Sequence, residues 1–216
     1  MKEHLITTNY TARYYTLGEM SEDPRQEVWL VLHGYGQLAQ YFIRKFEHLI
    51  QDNVYVVAPE GLSLFYLQGT EGRVGATWMT REFREHAINN YLVYLQKVYQ
   101  GLGLQNKRVV LFSFSQGGAT LIRWAIKHRL SFHKMIVWAG GFPSDVDPVD
   151  SKKVFLDKSI YYVYGDQDQY ITAERFADQE SLFERFGFRP KIIRYAGGHS
   201  VDLSVLRQLQ QKSHPE

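Results

Sequence analysis

The chain has 216 residues, 44% of them hydrophobic and 22% charged, with a formal net charge of +2. That length fits one α/β domain spanning residues 1–216 with a core large enough to fold alone, and so mild a charge gives no reason to expect a nucleic-acid partner. The absence of cysteine excludes a disulfide framework, a cysteine nucleophile and thiolate metal ligands.

The opening stretch MKEHLITTNYTARYY has no apolar leader, and no apolar run approaches the roughly 18 residues of a membrane span, so a cytoplasmic protein is expected. Residues Leu5–Leu17, rich in Thr and Tyr, predict one or two strands, followed by a polar turn over Gly18–Glu27. Val28–Leu32 is a continuous apolar run of the kind a strand buried on both faces requires. It ends in His33-Gly34-Tyr35-Gly36, before a helical pattern over Gln37–Gln51 with Leu38, Tyr41, Phe42, Phe46, Leu49 and Ile50 on one face. The glycines let backbone N–H groups face an anion, although the third glycine of a dinucleotide fingerprint is missing and no Gly-Lys-Ser/Thr follows. For His33 a structural role, holding this loop by hydrogen bonds, is the stronger reading.

Val54–Ala58 is a further buried strand, closed by Pro59-Glu60-Gly61. Leu62–Thr80 reads as a long Gly-rich, aromatic loop suited to the wall or partial lid of a substrate pocket. Arg81–Gln100 is an amphipathic helix burying Ile88, Tyr91, Leu92, Leu95, Val98 and Tyr99. Val109–Phe112 is a strand, and Leu121, Ile122, Ala125 and Ile126 mark the helix after it. Lys134–Ala139, Ser159–Tyr164 and Lys191–Tyr195 are three more strands. Asp145, Asp147 and Asp150 read as solvated loop acids, and Ala173, Phe176, Ala177 and Phe183 as the buried side of a late helix. A last helix carries Leu203, Leu206 and Leu209. Strands alternating with helices predict a mainly parallel central sheet with helices on both faces.

In such a sheet, ligands bind beyond the carboxyl ends of the strands. The turn Ser113-Phe114-Ser115-Gln116-Gly117 joins strand to helix as G-x-S-x-G does in a nucleophile elbow, with serine in place of the first glycine. Ser115 is the candidate nucleophile and Ser113 the small packing residue. Asp168 and His199 stand after two later strands, and the order Ser…Asp…His is that of the α/β hydrolases, not of chymotrypsin or subtilisin. A serine hydroxyl needs a base, His199, and the imidazole needs an anchor, Asp168. Asp166 sits at the same strand end but suits a brace of the turn better. The N–H groups of Tyr35 and Gln116 are the candidate oxyanion donors. His4, His48, His86, His128, His133 and His214 lack a partner motif, and without metal-ligand spacing no metal is expected.

Leu32–Gly36, Pro59–Gly61, Phe112–Gly118, Gly165–Asp168 and Gly197–Ser200 together resemble the phospholipase/carboxylesterase branch of the α/β hydrolases, which includes acyl-protein thioesterases. The resemblance implies an α/β-hydrolase fold and a cofactor-free serine esterase, with Ser115, Asp168 and His199 as triad and Tyr35 and Gln116 as oxyanion hole. The expected substrates are carboxylic esters of short- to medium-chain acyl groups, with an acyl-protein thioesterase or lysophospholipase as the alternative. Leu62, Phe65, Trp78, Trp138 and Phe142 are candidates for the acyl pocket. A ligand-binding protein on a hydrolase scaffold is the reading from another class.

Overall fold

The computed structural model describes residues 1–211, so His214 lies outside the described residues. Seven strands form one sheet in the order β1-β3-β2-β6-β7-β8-β9. They are β1 (Tyr14–Leu17), β2 (Glu27–Leu32), β3 (Val54–Pro59), β6 (Arg108–Phe114), β7 (Lys134–Trp138), β8 (Ser159–Gly165) and β9 (Lys191–Tyr195). Every neighbouring pair is parallel except the edge strand β1, which runs antiparallel to β3. A separate antiparallel hairpin, β4 (Ser63–Tyr66) and β5 (Val74–Thr77), stands where a loop was expected. Of the expected N-terminal strand region only β1 forms; Leu5, Ile6 and Tyr10 are exposed.

The continuous apolar runs divide between two cores because successive strand residues face opposite ways. Val28, Leu30 and Leu32 join Leu111, Val137 and Tyr162 on one face. Trp29 and Val31 join Val110, Phe112, Ile136 and Val163 on the other. The first face is covered by α2 (Arg84–Gly101), α3 (Gln116–His128), α4 (Pro148–Phe155) and α5 (Ala173–Phe186). The second is covered by α1 (Ala39–Phe42), the 3₁₀ segment Ile43–Asp52 and α6 (Leu203–Gln211). The helical stretch after His33 is therefore split, with Phe42, Ile43, Phe46 and Leu49 buried and Tyr41 exposed. The Ile88–Tyr99 stripe of α2 is buried as its spacing predicts. On α5, Phe183 is buried and Phe176 half-buried, whereas Ala173 and Ala177 are exposed.

The three loop acids are all engaged. Asp145 receives hydrogen bonds from Arg84 and Arg123, Asp147 caps α4 by accepting from the Asp150 N–H, and Asp150 pairs with Arg129. Strand order reverses between β2 and β6: the chain leaves β2 toward β3 on one side and leaves β6 toward β7 on the other. This switch point opens a crevice at the carboxyl ends of both strands. Among the described residues no helix is long and apolar enough to cross a membrane.

Candidate active site

Ser115 follows β6 and caps α3 with φ 52° and ψ −120°, a conformation that side-chain-bearing residues rarely adopt. The turn is forced because a buried strand becomes a helix within one residue. Its N–H donates to Trp138 O at 2.8 Å, tying the bend to β7. A Cβ on Gly117 would lie 2.7 Å from Leu32 O and 2.8 Å from His33 O, so α3 can approach β2 only through glycine. On the other flank Ser113 is fully buried, with its hydroxyl donating to Ile136 O at 3.5 Å, so the serine that stands where the elbow pattern has glycine is taken up inside the sheet.

The Ser115 hydroxyl lies 2.9 Å from His199 Nε2, and His199 Nδ1 lies 2.7 Å from Asp168 Oδ2. A carboxylate only accepts, so Nδ1–H donates to Asp168 and the neutral ring offers Nε2 to the serine O–H. The other Asp168 oxygen accepts from the Tyr170 N–H at 2.8 Å, which fixes the buried carboxylate. Phe114 and Tyr170 contact the His199 ring, with centroids at 4.8 and 4.6 Å. Asp166 is turned elsewhere: it accepts from the Gly197 N–H at 3.1 Å and braces the turns after β8 and β9 against each other. A hydroxyl held by an imidazole that is held by a buried carboxylate is arranged to lose its proton.

Next to Ser115 stand the turn after β2, where a Cβ on Gly34 would lie 3.1 Å from Ser115 Cβ, and the first turn of α3. As the first residue of α3, Gln116 has an N–H without an intrahelical acceptor. Its side chain donates to Met79 O at 2.8 Å and accepts from the Trp78 N–H at 3.2 Å, fastening the end of β5 to the elbow. Tyr35 is exposed, its ring 5.1 Å from that of Phe65. The Gly34–Gln37 turn is held from several directions: Gly34 N–H donates to Gln37 Oε1 at 2.8 Å, and Gly36 N–H to Ala76 O at 2.9 Å. Glu60, buried in the Pro59–Gly61 turn, accepts from the first N–H of α1 and from Arg13.

His33 is fully buried beneath this turn. Its Nδ1–H donates to Gly34 O at 2.7 Å while Nε2 accepts from the Gly61 N–H at 2.9 Å, a pair of bonds that only the neutral ring can make. Burial lowers its pKa from 6.5 to about 4, which keeps it neutral. The expected structural role of His33 thus has a definite form, a clip between two strand ends.

A cleft of about 540 Å³ opens beside Ser115 and His199. Of the five residues expected to line an acyl pocket, only Phe142 does so. Trp78 lies in the core, where it stacks on His33 and donates from Nε1 to His33 O at 2.9 Å. Trp138 is buried on the other face of the sheet and donates to Ser200 O at 2.9 Å. Leu62 packs on the first core, and Phe65 belongs to the hairpin beside Tyr35. The apolar wall is instead Met79, Phe142, Tyr162 and Ile171, with Arg175 and Gln179 of α5 adding polar groups. Met79 stood in the Leu62–Thr80 stretch expected to form a pocket wall, and Ile171 follows Asp168 closely; nothing in the sequence pattern marks Tyr162 or Gln179.

Comparison with solved structures gives the same fold in esterases and thioesterases. An acyl-protein thioesterase of Zea mays matches with TM-score 0.70 and 12% identity over 94% of this chain and 98% of its own. A carboxylesterase of Bacillus cereus matches with TM-score 0.66 and 12% identity over 95% and 96%. A phospholipase/carboxylesterase of Dyadobacter fermentans matches with TM-score 0.66 and 16% identity over 95% and 97%. Among curated protein sequences none matches this chain significantly. A family model described as serine hydrolase (FSH1) matches residues 20–204, from before β2 into α6, and covers every strand of the sheet but the edge strand β1. The chain belongs to the FSH1 serine hydrolase family.

Proposed function

We propose that the protein hydrolyses carboxylic esters of short- to medium-chain acyl groups through an acyl-enzyme on Ser115, with residues 1–216 acting as one domain. The observation that carries this reading is the unbroken hydrogen-bonded path Ser115–His199–Asp168, with links of 2.9 and 2.7 Å, at the mouth of a cleft. Ser115 Oγ attacks the ester carbonyl while His199 Nε2 takes its proton, and Asp168 stabilises the imidazolium without becoming protonated. The carbonyl oxygen becomes an oxyanion between the N–H groups of Gln116 and Tyr35. Removing one such donor typically costs about 10²–10³ in kcat. Collapse of the adduct expels the alkoxide, which leaves with the proton from His199. Water then attacks the acyl-enzyme, with His199 again the base, and frees the carboxylic acid and Ser115.

The Zea mays and Bacillus cereus relatives, by their names, act on a thioester and an ester respectively. The same three side chains serve either leaving group, because the chemistry is at the carbonyl. Met79, Phe142 and Ile171 support an acyl chain on the cleft side. The test is hydrolysis of p-nitrophenyl esters from acetate to laurate by the wild type and by Ser115→Ala. A loss of up to roughly 10⁶ in kcat is expected in the variant. Equal turnover by both proteins would overturn the assignment of Ser115.

A further inference from the structure

Tyr162, on β8, stands in the wall of the cleft beside Ser115 and is fully buried, its hydroxyl included. Its ring sits in an aromatic shell, with centroids 5.4 Å from Phe183, 6.1 Å from Phe176 and 6.4 Å from Phe142. Among the described residues its hydroxyl has no hydrogen-bond partner. Burial first, then the charge of nearby Tyr164 and Asp168, pushes its ionisation above the ordinary value of 10.0, so the group is an O–H donor at neutral pH. A buried donor left without an acceptor costs about 1–3 kcal/mol. Phenylalanine would fill the same shell without that cost, so packing does not account for the oxygen.

The same cleft carries other donors. Gln179 uses its Oε1 to accept from the Phe142 N–H at 2.6 Å, which leaves its amide N–H groups as donors. Arg175 holds Tyr170 O at 3.0 Å and meets no carboxylate within ion-pair distance among the described residues, although Asp178 lines the same cleft. A plain alkyl chain in this cleft would leave the Tyr162 hydroxyl and the Gln179 amide without an acceptor.

We infer that the acyl chain accepted by this cleft carries an oxygen acceptor, a keto or carboxylate oxygen, and that the Tyr162 hydroxyl selects for it. The inference rests on Ser115 as the nucleophile. Tyr162 touches the acyl chain and takes no part in proton transfer. A site built to hydrogen-bond an oxygen discriminates strongly against the analogue that lacks it, because its own donor is then left unpaired.

The experiment compares p-nitrophenyl pentanoate with its keto analogue levulinate and with p-nitrophenyl hydrogen succinate, for wild type, Tyr162→Phe and Ser115→Ala. The wild type is expected to prefer at least one oxygenated ester over pentanoate. Tyr162→Phe should shrink that preference in kcat/KM by about tenfold or more. Thermal unfolding of Tyr162→Phe is read alongside, with Tm expected to be unchanged or raised, so that a changed ratio is not the mark of a damaged fold. If pentanoate is hydrolysed in a Ser115-dependent way and the ratios are the same in wild type and Tyr162→Phe, the inference is overturned and the esterase reading stands. If Ser115→Ala hydrolyses all three esters as fast as wild type, both fall.

Discussion

At the scale of single residues, the two acids after β8 separate cleanly. Asp168 faces His199, whereas Asp166 accepts from the Gly197 backbone. Asp168→Asn keeps the shape but allows the amide to disfavour the working tautomer, and kcat should fall by about 10⁴. Asp166→Asn keeps an oxygen to accept from Gly197 and should retain most of the wild-type rate. Parallel kcat measurements on one ester check both, and comparable losses in the two variants would contradict the assignment. The three side chains of the relay were legible because each follows a recognisable strand and turn. The pocket was not. Trp78 was expected in the pocket-wall loop and Trp138 near a strand end, but a tryptophan in a sequence does not disclose which way its ring turns. The Trp138 ring packs on the second core face, away from the cleft, and the Trp78 indole is spent on His33 O. Tyr162 escaped notice for the opposite reason: amid a buried aromatic strand nothing distinguishes a phenol from its ring neighbours until its partners are known.

Among the elements, the β4–β5 hairpin holds the turn after β2 in place. Gly75 touches Gly36 so closely that an added Cβ would lie 2.4 Å from Gly36 O, and the two segments share the Gln37–Ala76 bridge. Gly75→Ala must part them, moving the Tyr35 N–H without touching Ser115, His199 or Asp168. We expect kcat to drop by about 10²-fold, the scale of one lost oxyanion donor. Labelling of Ser115 by a fluorophosphonate, a separate measurement, should persist at a reduced rate. Unaltered kcat in a folded Gly75→Ala protein would show that the hairpin does not set this turn. The sequence concealed the hairpin because its strands are only four residues each, and Gly69 and Gly72 between them read as loop. Longer elements were easier, since the α2 stripe repeats over several turns and all of its expected residues are buried.

Over the whole molecule, acid should unfold the protein in two stages. His33 has an ordinary pKa of 6.5 and a folded value of about 4, so the unfolded chain binds more protons between them. Stability is therefore lost as pH falls from 6.5 toward 4. Glu27 is buried, which alone would raise its pKa, but bonds from His133, Trp29 and Arg108 win and lower it from 4.5 to about 2. Its contribution is present above 4.5 and disappears as pH falls toward 2. Glu27→Gln should therefore lower Tm at pH 7, with the gap to wild type closing as the buffer is taken below 4.5. A gap that stays constant with pH would refute this linkage. The parallel sheet was legible from its apolar runs, but a buried glutamate at the head of β2 was not, because two of its partners, Arg108 on β6 and His133 just before β7, are distant in the sequence. The layout of the sheet also sets a schedule for biosynthesis. Ser115 and His199 are 84 residues apart, and the imidazole is supplied only after β9, the far edge of the sheet. At the ribosome's pace of about 5–20 residues per second, roughly 4–17 s separate the synthesis of the two. On the proposed mechanism the nascent chain carries its serine unarmed until nearly all of the described chain has been made, and a product cut short before β9 is expected to be an inert polypeptide, not a stray hydrolase.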